Sequence, residues 1–428
     1  MLNKINTIYF LGIGGIGMSA LARFFLLQGK QVYGYDLTET DITQQLITEG
    51  AHIHFEEDIS KIPKNVDVVV YTPAIPKEHQ EYQYFIEHQI LILKRSEILG
   101  MICSNYPTIA IAGTHGKTTT TAMVTQMLPK ILSFIGGIAK NFDSNFVYNS
   151  GFDTIIVEAD EYDRSFLTLY PQVAIITSLD ADHLDIYGER KHLVESFQMF
   201  ANQIHPAGTL VIYDEIAGQI KHPNKVTYGF SENANYKVSD IQNFPIPGKH
   251  NILNAVAAFA ACSEYLSWKN NGVFDSQSLL SSLSRFTGVK RRFDVCVQRD
   301  DFVYIDDYAH HPEAIRAFLD AVKNGYPEKK ITGVFQPHLY SRTRDFVQEF
   351  ADSLEVLDEI ILLDIYPARE KPIEGITSNY LLSLIKNENK KLLKKEELVA
   401  YLQMNRPEVL LTMGAGDIDR FVKKLELI

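Results

Sequence analysis

Short apolar, partly β-branched runs recur along the chain, and most give way to glycine, polar or acidic residues. Thr7–Leu11, Gln31–Tyr35 and Val66–Tyr71 read as buried strands, with a helical stretch running to Gln28 behind the first. The pattern breaks around Ser96–Asn105 and resumes at Ile109, which puts a domain boundary near residue 104. Strands are then expected at Ile109–Ala112, Asp153–Val157 and Val173–Thr177, and helices over Thr119–Leu128 and the alanine-rich Ala255–Tyr265. From about residue 294 a third series begins, with strands at Phe302–Asp306, Ile331–Gln336, Glu359–Tyr366 and Val409–Met413. Strands alternating with helices in three blocks predict an α/β chain with domains at 1–104, 105–293 and 294–428, the last a small doubly wound sheet.

Two glycine loops sit where a strand feeds a helix. Gly12, Gly14 and Gly17 follow the first strand in G-x-G-x-x-G spacing, and Asp36 ends the second strand 19 residues later. That geometry binds a dinucleotide, and equally any pyrophosphate, including that of a sugar nucleotide. The second loop, Gly113-Thr-His-Gly-Lys-Thr-Thr119, is a phosphate cradle. Its N–H groups and the helix dipole face an anion, Lys117 reaches the outer phosphates, and a threonine hydroxyl can ligate Mg2+. The general phosphate-loop pattern has a further glycine where Ile111 stands.

The rest of the chemistry crowds the ends of strands. Glu158 follows an apolar strand in the manner of a metal-binding acid, and Asp163 and Asp185 lie in the acidic runs beyond it. Loop acids also serve as solvated caps, so Asp163 and Asp185 stay open between the two readings. Spacing alone does not make His183 a metal ligand, since Mg2+ prefers oxygen. Asn251 and Asn254 share a helix face, either capping it or presenting amides to a base. Lys290, Arg291 and Arg292 form a basic turn that meets phosphate or water. In the third block, Asp306–Pro312, Pro337–Arg344 and Gly414–Asp417 bring His, Arg and Asp to three strand ends of one sheet.

Composition narrows the partners. The chain has 428 residues and a net charge of −12, which counts against nucleic acid as an obligatory partner. Its three cysteines, Cys103, Cys262 and Cys296, fit no metal or disulfide spacing and suggest a reducing compartment. No apolar run approaches the roughly 20 residues that span a bilayer. The N-terminal stretch reads as a strand and no signal peptide, so a soluble cytoplasmic protein is expected.

Together these stretches resemble the Mur ligases. Gly12–Ser19, Gly113–Thr120, Glu158–Phe166, Asp180–Asp185, His250–Asn254, Arg291–Asp294, Asp307–Pro312 and Phe335–His338 occur in family order across the whole chain. The resemblance implies a Rossmann-like UDP-binding domain, a central ATP-binding P-loop domain and a C-terminal Rossmann-like domain that contacts an amino acid. Within the family it points to the branch that uses ATP to join L-alanine to the lactyl carboxylate of UDP-N-acetylmuramate through an acyl phosphate, a step of peptidoglycan synthesis. By motif match, Gly12, Gly14, Gly15, Gly17, Met18, Ser19 and Asp36 serve the UDP-sugar. Ala112, Gly113, Thr114, His115, Gly116, Lys117, Thr118 and Thr119 surround the ATP phosphates, with no catalytic role for the His115 side chain. Asn254, Arg292 and Asp307 match positions that grip adenine, phosphate and ribose. Thr118, Glu158 and His183 would hold Mg2+ or Mn2+, His338 and Arg342 would position amino acid and acyl phosphate, and His310 would help deprotonate the amine.

Two departures follow from the same comparison. Many alanine-adding members carry arginine where Leu339 stands, which leaves an anion contact to Arg344 or Arg369 or leaves it out. Some Mur ligases use a carbamylated lysine after the His183 motif, and Val194–Asn202 holds no lysine, so none is expected. The competing readings are a recycling ligase that joins the same sugar nucleotide to a tripeptide and, more distantly, a nicotinamide-dependent oxidoreductase. Monomer and homodimer both remain compatible with the sequence.

Overall fold

The computed structural model describes residues 2–180, 187, 189–368 and 370–428. His183, Asp185 and Arg369 lie outside the described residues. Three sheets organise the chain. The first contains β1 (Thr7–Leu11), β2 (Gln31–Tyr35), β3 (His52–His54), β4 (Val68–Tyr71) and β5 (Ile92–Lys94), in the order β3-β2-β1-β4-β5. All its pairs are parallel. β1 is buried along its whole length, as a central strand covered on both faces must be. The order reverses beside β1, so its C-terminal turn, which carries the first glycine loop, opens where doubly wound sheets bind ligands.

The second sheet contains β6 (Thr108–Ala112), β7 (Ile131–Ala139), β8 (Ser144–Tyr148), β9 (Thr154–Glu158), β10 (Val173–Ile176), β11 (Thr209–Tyr213), β12 (Lys225–Gly229) and β13 (Tyr236–Lys237). The order β13-β12-β11-β10-β6-β9-β7-β8 places β6 between β9 and β10. The phosphate loop therefore leaves β6 with the ends of β9 and β10 on either side. Ile111, which replaces the general pattern's glycine, is fully buried in β6 and pairs with Glu158 and Ile175. β7 and β8 form an antiparallel hairpin that the apolar pattern did not announce.

The third sheet contains β14 (Asp294–Gln298), β15 (Val303–Asp307), β16 (Ile331–Phe335), β17 (Glu359–Leu362), β18 (Lys390–Leu392) and β19 (Val409–Met413), ordered β14-β15-β19-β16-β17-β18. Its four expected strands all form. The run expected to reach Tyr366 ends at Leu362, and β14 adds an antiparallel edge. Apolar clusters cover both faces of this sheet. By density of contacts, residues up to 245 with 253–286 form one compact unit and residues 246–252 with 287–428 another. The first two sheets thus share a unit, and one continuous apolar core runs from Ile5 to Ile220. Among the described residues no helix is long and apolar enough to cross a membrane.

Candidate active site

Glycine is obligatory in the phosphate loop for a steric reason. Gly113 has φ +133°, and a Cβ there would fall 2.0 Å from Thr177 Oγ1 and 2.9 Å from the Ser178 backbone nitrogen. Gly116, at φ +80°, precedes the helix Lys117–Met127, and a Cβ on it would fall 2.4 Å from Asn254 Oδ1. Asn254 thus lies against the phosphate loop itself. The end of β10 braces the loop from the other side. Ser178 Oγ accepts the His115 N–H at 2.9 Å and bonds Thr114 Oγ1 at 2.8 Å, while Thr114 Oγ1 accepts the Asp180 N–H at 3.1 Å. Ala112 and Thr119 are buried, and the His115 ring lies outward, 3.8 Å from the Asp180 carboxylate.

Lys117 folds over this loop. Its ammonium donates to Gly113 O at 2.6 Å and to Glu161 Oε1 at 2.9 Å, with Oε2 at 2.8 Å. Burial alone would lower the Lys117 pKa, but Glu161, Asp160 and Glu158 outweigh it and raise it, so the cation stays charged where phosphates would need it. One residue on, Thr118 donates to Glu158 Oε1 at 3.1 Å, and the Gly136 N–H donates to Oε2 at 2.9 Å. A Cβ on Gly136 would fall 2.3 Å from Glu158 Oε2, so glycine leaves the room this carboxylate occupies. A hydroxyl and a carboxylate side by side are the hard oxygen donors that suit Mg2+. Among the described residues no group of three or more His, Cys, Asp or Glu side chains forms a metal-binding cluster. Asp163 lies 3.7 Å from Lys94, on a kink where Asp163 and Arg164 both have positive φ.

In the first loop, Gly12 (φ +84°) and Ile13 donate to Tyr35 O at 2.8 and 3.0 Å, tying the turn to the end of β2. Asp36 is occupied by the loop, accepting the Gly14 N–H at 2.8 Å and the Thr38 N–H at 3.1 Å. The Gly15 N–H returns to Gly12 O at 3.2 Å. Met18 and Ser19 are buried behind the loop. The Ser19 hydroxyl donates to Ile16 O and accepts from Asn145 Nδ2 at 2.9 Å. Gly17 faces Arg95, whose Nη1 would lie 2.9 Å from a Cβ at that position.

The third domain gathers arginines, histidines and carboxylates around its strand ends. Asp307 accepts the Phe293 N–H at 2.6 Å and the Ala309 N–H at 2.8 Å. Arg291 and Arg292 lie 5.0 and 4.9 Å from the Tyr308 ring centre. Burial, then Arg342, push the His310 pKa down to about 3, and its Nδ1 meets Tyr308 O at 2.9 Å. His338, lowered to about 4 by burial and Arg342, has Nδ1 at 3.4 Å from Arg342 Nη1 and its ring 6.2 Å from that of His310. Leu339 has φ +71° and ψ 135°, a region almost reserved for glycine, and its N–H is held by Tyr366 O at 2.9 Å. Arg344 donates to neighbouring Asp345 at 2.7 Å.

Sequence reasoning missed Glu161, Ser178 and Arg95. Glu161 sits in an acidic run where spacing does not separate it from Asp160, and Ser178 and Arg95 act across folds of the chain that no local pattern records.

Comparison with known proteins covers the chain in three parts. The Mur ligase family catalytic domain matches residues 7–107, the Mur ligase middle domain residues 111–262, and the Mur ligase glutamate ligase domain residues 291–416. A UDP-N-acetylmuramate–L-alanine ligase of Flavobacterium psychrophilum is 44% identical over 99% of this chain and 98% of its own length. Among solved structures, UDP-N-acetylmuramate–alanine ligase from Thermotoga maritima superposes with a TM-score of 0.82 at 27% identity, covering 98% of this chain and 99% of that one. A murein peptide ligase from Psychrobacter arcticus shares the fold at a TM-score of 0.71 and 21% identity, covering 99% of each chain.

Proposed function

This chain belongs to the Mur ligase family, and we propose that it joins L-alanine to the lactyl carboxylate of UDP-N-acetylmuramate at the expense of ATP, in the cytoplasm, as a step of peptidoglycan synthesis. The observation that carries the reading is the charged, partly buried Lys117 over the Gly113–Gly116 loop, with Thr118 and Glu158 paired beside it. In this reading residues 1–104 bind the UDP-sugar, 105–293 bind ATP and 294–428 serve the amino acid.

The lactyl carboxylate attacks the ATP γ-phosphate, giving an acyl phosphate and ADP; the alanine amine then attacks the acyl carbon and phosphate leaves. The first step brings two anions together, so neutralisation and positioning dominate its barrier. Lys117 exchanges Glu161 for the phosphate oxygens. Thr118 and Glu158, with His183 by family pattern, would hold Mg2+, which spreads the phosphate charge. Asn254 lies beside the loop, and Arg292 and Asp307 are assigned to phosphate and ribose. His338 and Arg342 position the amino acid and acyl phosphate. His310 is neutral, and because a carbonyl only accepts, its Nδ1 carries the proton toward Tyr308 O. Its Nε2 lone pair is then free to accept a hydrogen bond from the attacking amine and orient it, while a pKa of about 3 leaves it too weak a base to keep the proton.

Release of ADP that requires both UDP-N-acetylmuramate and L-alanine is the expected result, and release independent of either refutes the reading. Offering alanine and tripeptide in competition separates it from a recycling ligase, and an NADH fluorescence titration showing no binding disposes of the oxidoreductase.

A further inference from the structure

Arg95 stands between the two phosphate-binding regions. It is the first residue of the helix Arg95–Cys103, directly after β5, at the ligand-binding end of the first sheet. Its guanidinium lies against Gly17 on one side, and on the other Nη2 donates to Asp160 Oδ2 at 3.3 Å. Arg95 and Glu158 line one cleft together with Ser96, Asp160, Ser165 and Thr168. The backbone beneath is fixed, since Thr168 Oγ1 donates to Ser96 O at 2.9 Å and a Cβ on Gly100 would fall 2.6 Å from Thr168 O. A cation in the first turn of its own helix is opposed by the helix dipole, so nothing local favours arginine there. The Arg95–Asp160 contact is single, long and one-quarter exposed on the arginine side, which makes it a weak tie and an easily exchanged one.

We infer that Arg95 grips an oxyanion of the sugar nucleotide, its pyrophosphate or its lactyl carboxylate, and that Asp160 holds this guanidinium until the substrate takes its place. The inference rests on the reading above, because it deepens the same site. Arginine fits such a role because its planar fork matches both phosphate and carboxylate, and it cannot lose its charge beside the anion it binds.

The test is calorimetric titration, without ATP, of UDP-N-acetylmuramate and of UDP into the full chain and its Arg95→Ala, Arg95→Lys and Asp160→Asn variants. The ATP-analogue affinity and thermal melt of each variant are measured alongside. Arg95→Ala should weaken sugar-nucleotide binding about tenfold or more while leaving ATP-analogue binding unchanged, with Arg95→Lys between. Asp160→Asn should bind at least as tightly as wild type, because it frees the guanidinium. Loss for both ligands assigns the pyrophosphate, and loss for UDP-N-acetylmuramate alone assigns the carboxylate; either supports the inference. Equal weakening by Arg95→Ala and Asp160→Asn would mark a structural ion pair and overturn it, as would wild-type affinity in Arg95→Ala. Should Arg95→Ala fail to fold, a wild-type affinity in Arg95→Lys overturns the fork contact by itself. A wild-type chain that binds neither ligand overturns the functional reading and this inference with it.

Discussion

The ammonium of Lys117 lies within 2.9 Å of both carboxylate oxygens of Glu161, a side chain with no exposed surface. Removing the lysine leaves a buried carboxylate without its cation. Lys117→Ala should abolish turnover and cost about 3–5 kcal/mol of stability. The double variant Lys117→Ala/Glu161→Gln should recover much of the stability and none of the activity. Urea melts of the two single variants and the pair give the coupling directly, and additive losses would mean that the two groups do not depend on each other.

Gly113→Ala should be far more damaging than an ordinary glycine substitution. The added carbon meets Thr177 Oγ1 at 2.0 Å and a backbone nitrogen at 2.9 Å, on a backbone at φ +133°. Truncating Thr177 as well does not remove the clash with Ser178. The expected outcome is a thermal midpoint well below wild type in Gly113→Ala, and only partial recovery in Gly113→Ala/Thr177→Ala.

Asn145, from the β7–β8 hairpin, reaches the helix behind the first glycine loop. Fully buried, it bonds Ile16 O, Ser19 Oγ and Arg23. Asn145→Ala strands polar groups that water does not reach, so a loss of about 1–3 kcal/mol is expected in chemical denaturation. Hydrogen exchange should quicken at the N-terminus of the helix Ile16–Leu27. Unchanged exchange there would show that the hairpin does not brace the loop.

Asp306, buried in β15, and His310, half-buried in the loop that follows it, give stability opposite pH slopes. Burial raises the Asp306 pKa from 3.8 to about 7 against the pull of Arg291 and Thr412, with Asp307 and Asp294 adding to the rise. The folded state therefore binds that proton more tightly, and its contribution is complete below about pH 4 and lost as pH climbs to 7. His310, lowered from 6.5 to about 3, contributes fully above about pH 6.5 and loses its contribution as pH falls toward 3. Asp306→Asn should hold its stability better than wild type from pH 4 to 7, and His310→Asn should hold it better on acidification. Urea midpoints at half-unit pH intervals test both signs.

Much of this protein was legible in its sequence because strands that are covered on both faces announce themselves as apolar runs. β1, β6, β9 and β10 lie within two residues of their expected places, and the family match confirms the three-part α/β ligase architecture. Half-polar strands such as β8 (Ser144–Tyr148) and β18 (Lys390–Leu392) lie at sheet edges, where partial burial leaves little signal. Side-chain partnerships were less visible still. Asp36 shows in sequence only as the polar end of the second strand, and the fold alone shows that it holds the Gly14 N–H. Lys117 finds Glu161 from 44 residues away, and Arg95 meets Asp160 across 65, distances over which no spacing rule operates.

His310 and His338 stand with rings 6.2 Å apart and commit the same nitrogen, Nδ1, in opposite senses, one as donor and one as acceptor. His310 spends its hydrogen on Tyr308 O. His338 accepts from Arg342, which can only donate, so its hydrogen sits on Nε2. One imidazole therefore offers a lone pair and its neighbour offers a hydrogen, a pattern that nitrogen chemical shifts of the two rings would reveal directly. Such a pair discriminates by the sign of a hydrogen bond before it discriminates by size. A molecule carrying an amine at one end and an oxygen at the other can satisfy both rings in a single orientation, whereas one with like groups at both ends leaves one ring unanswered.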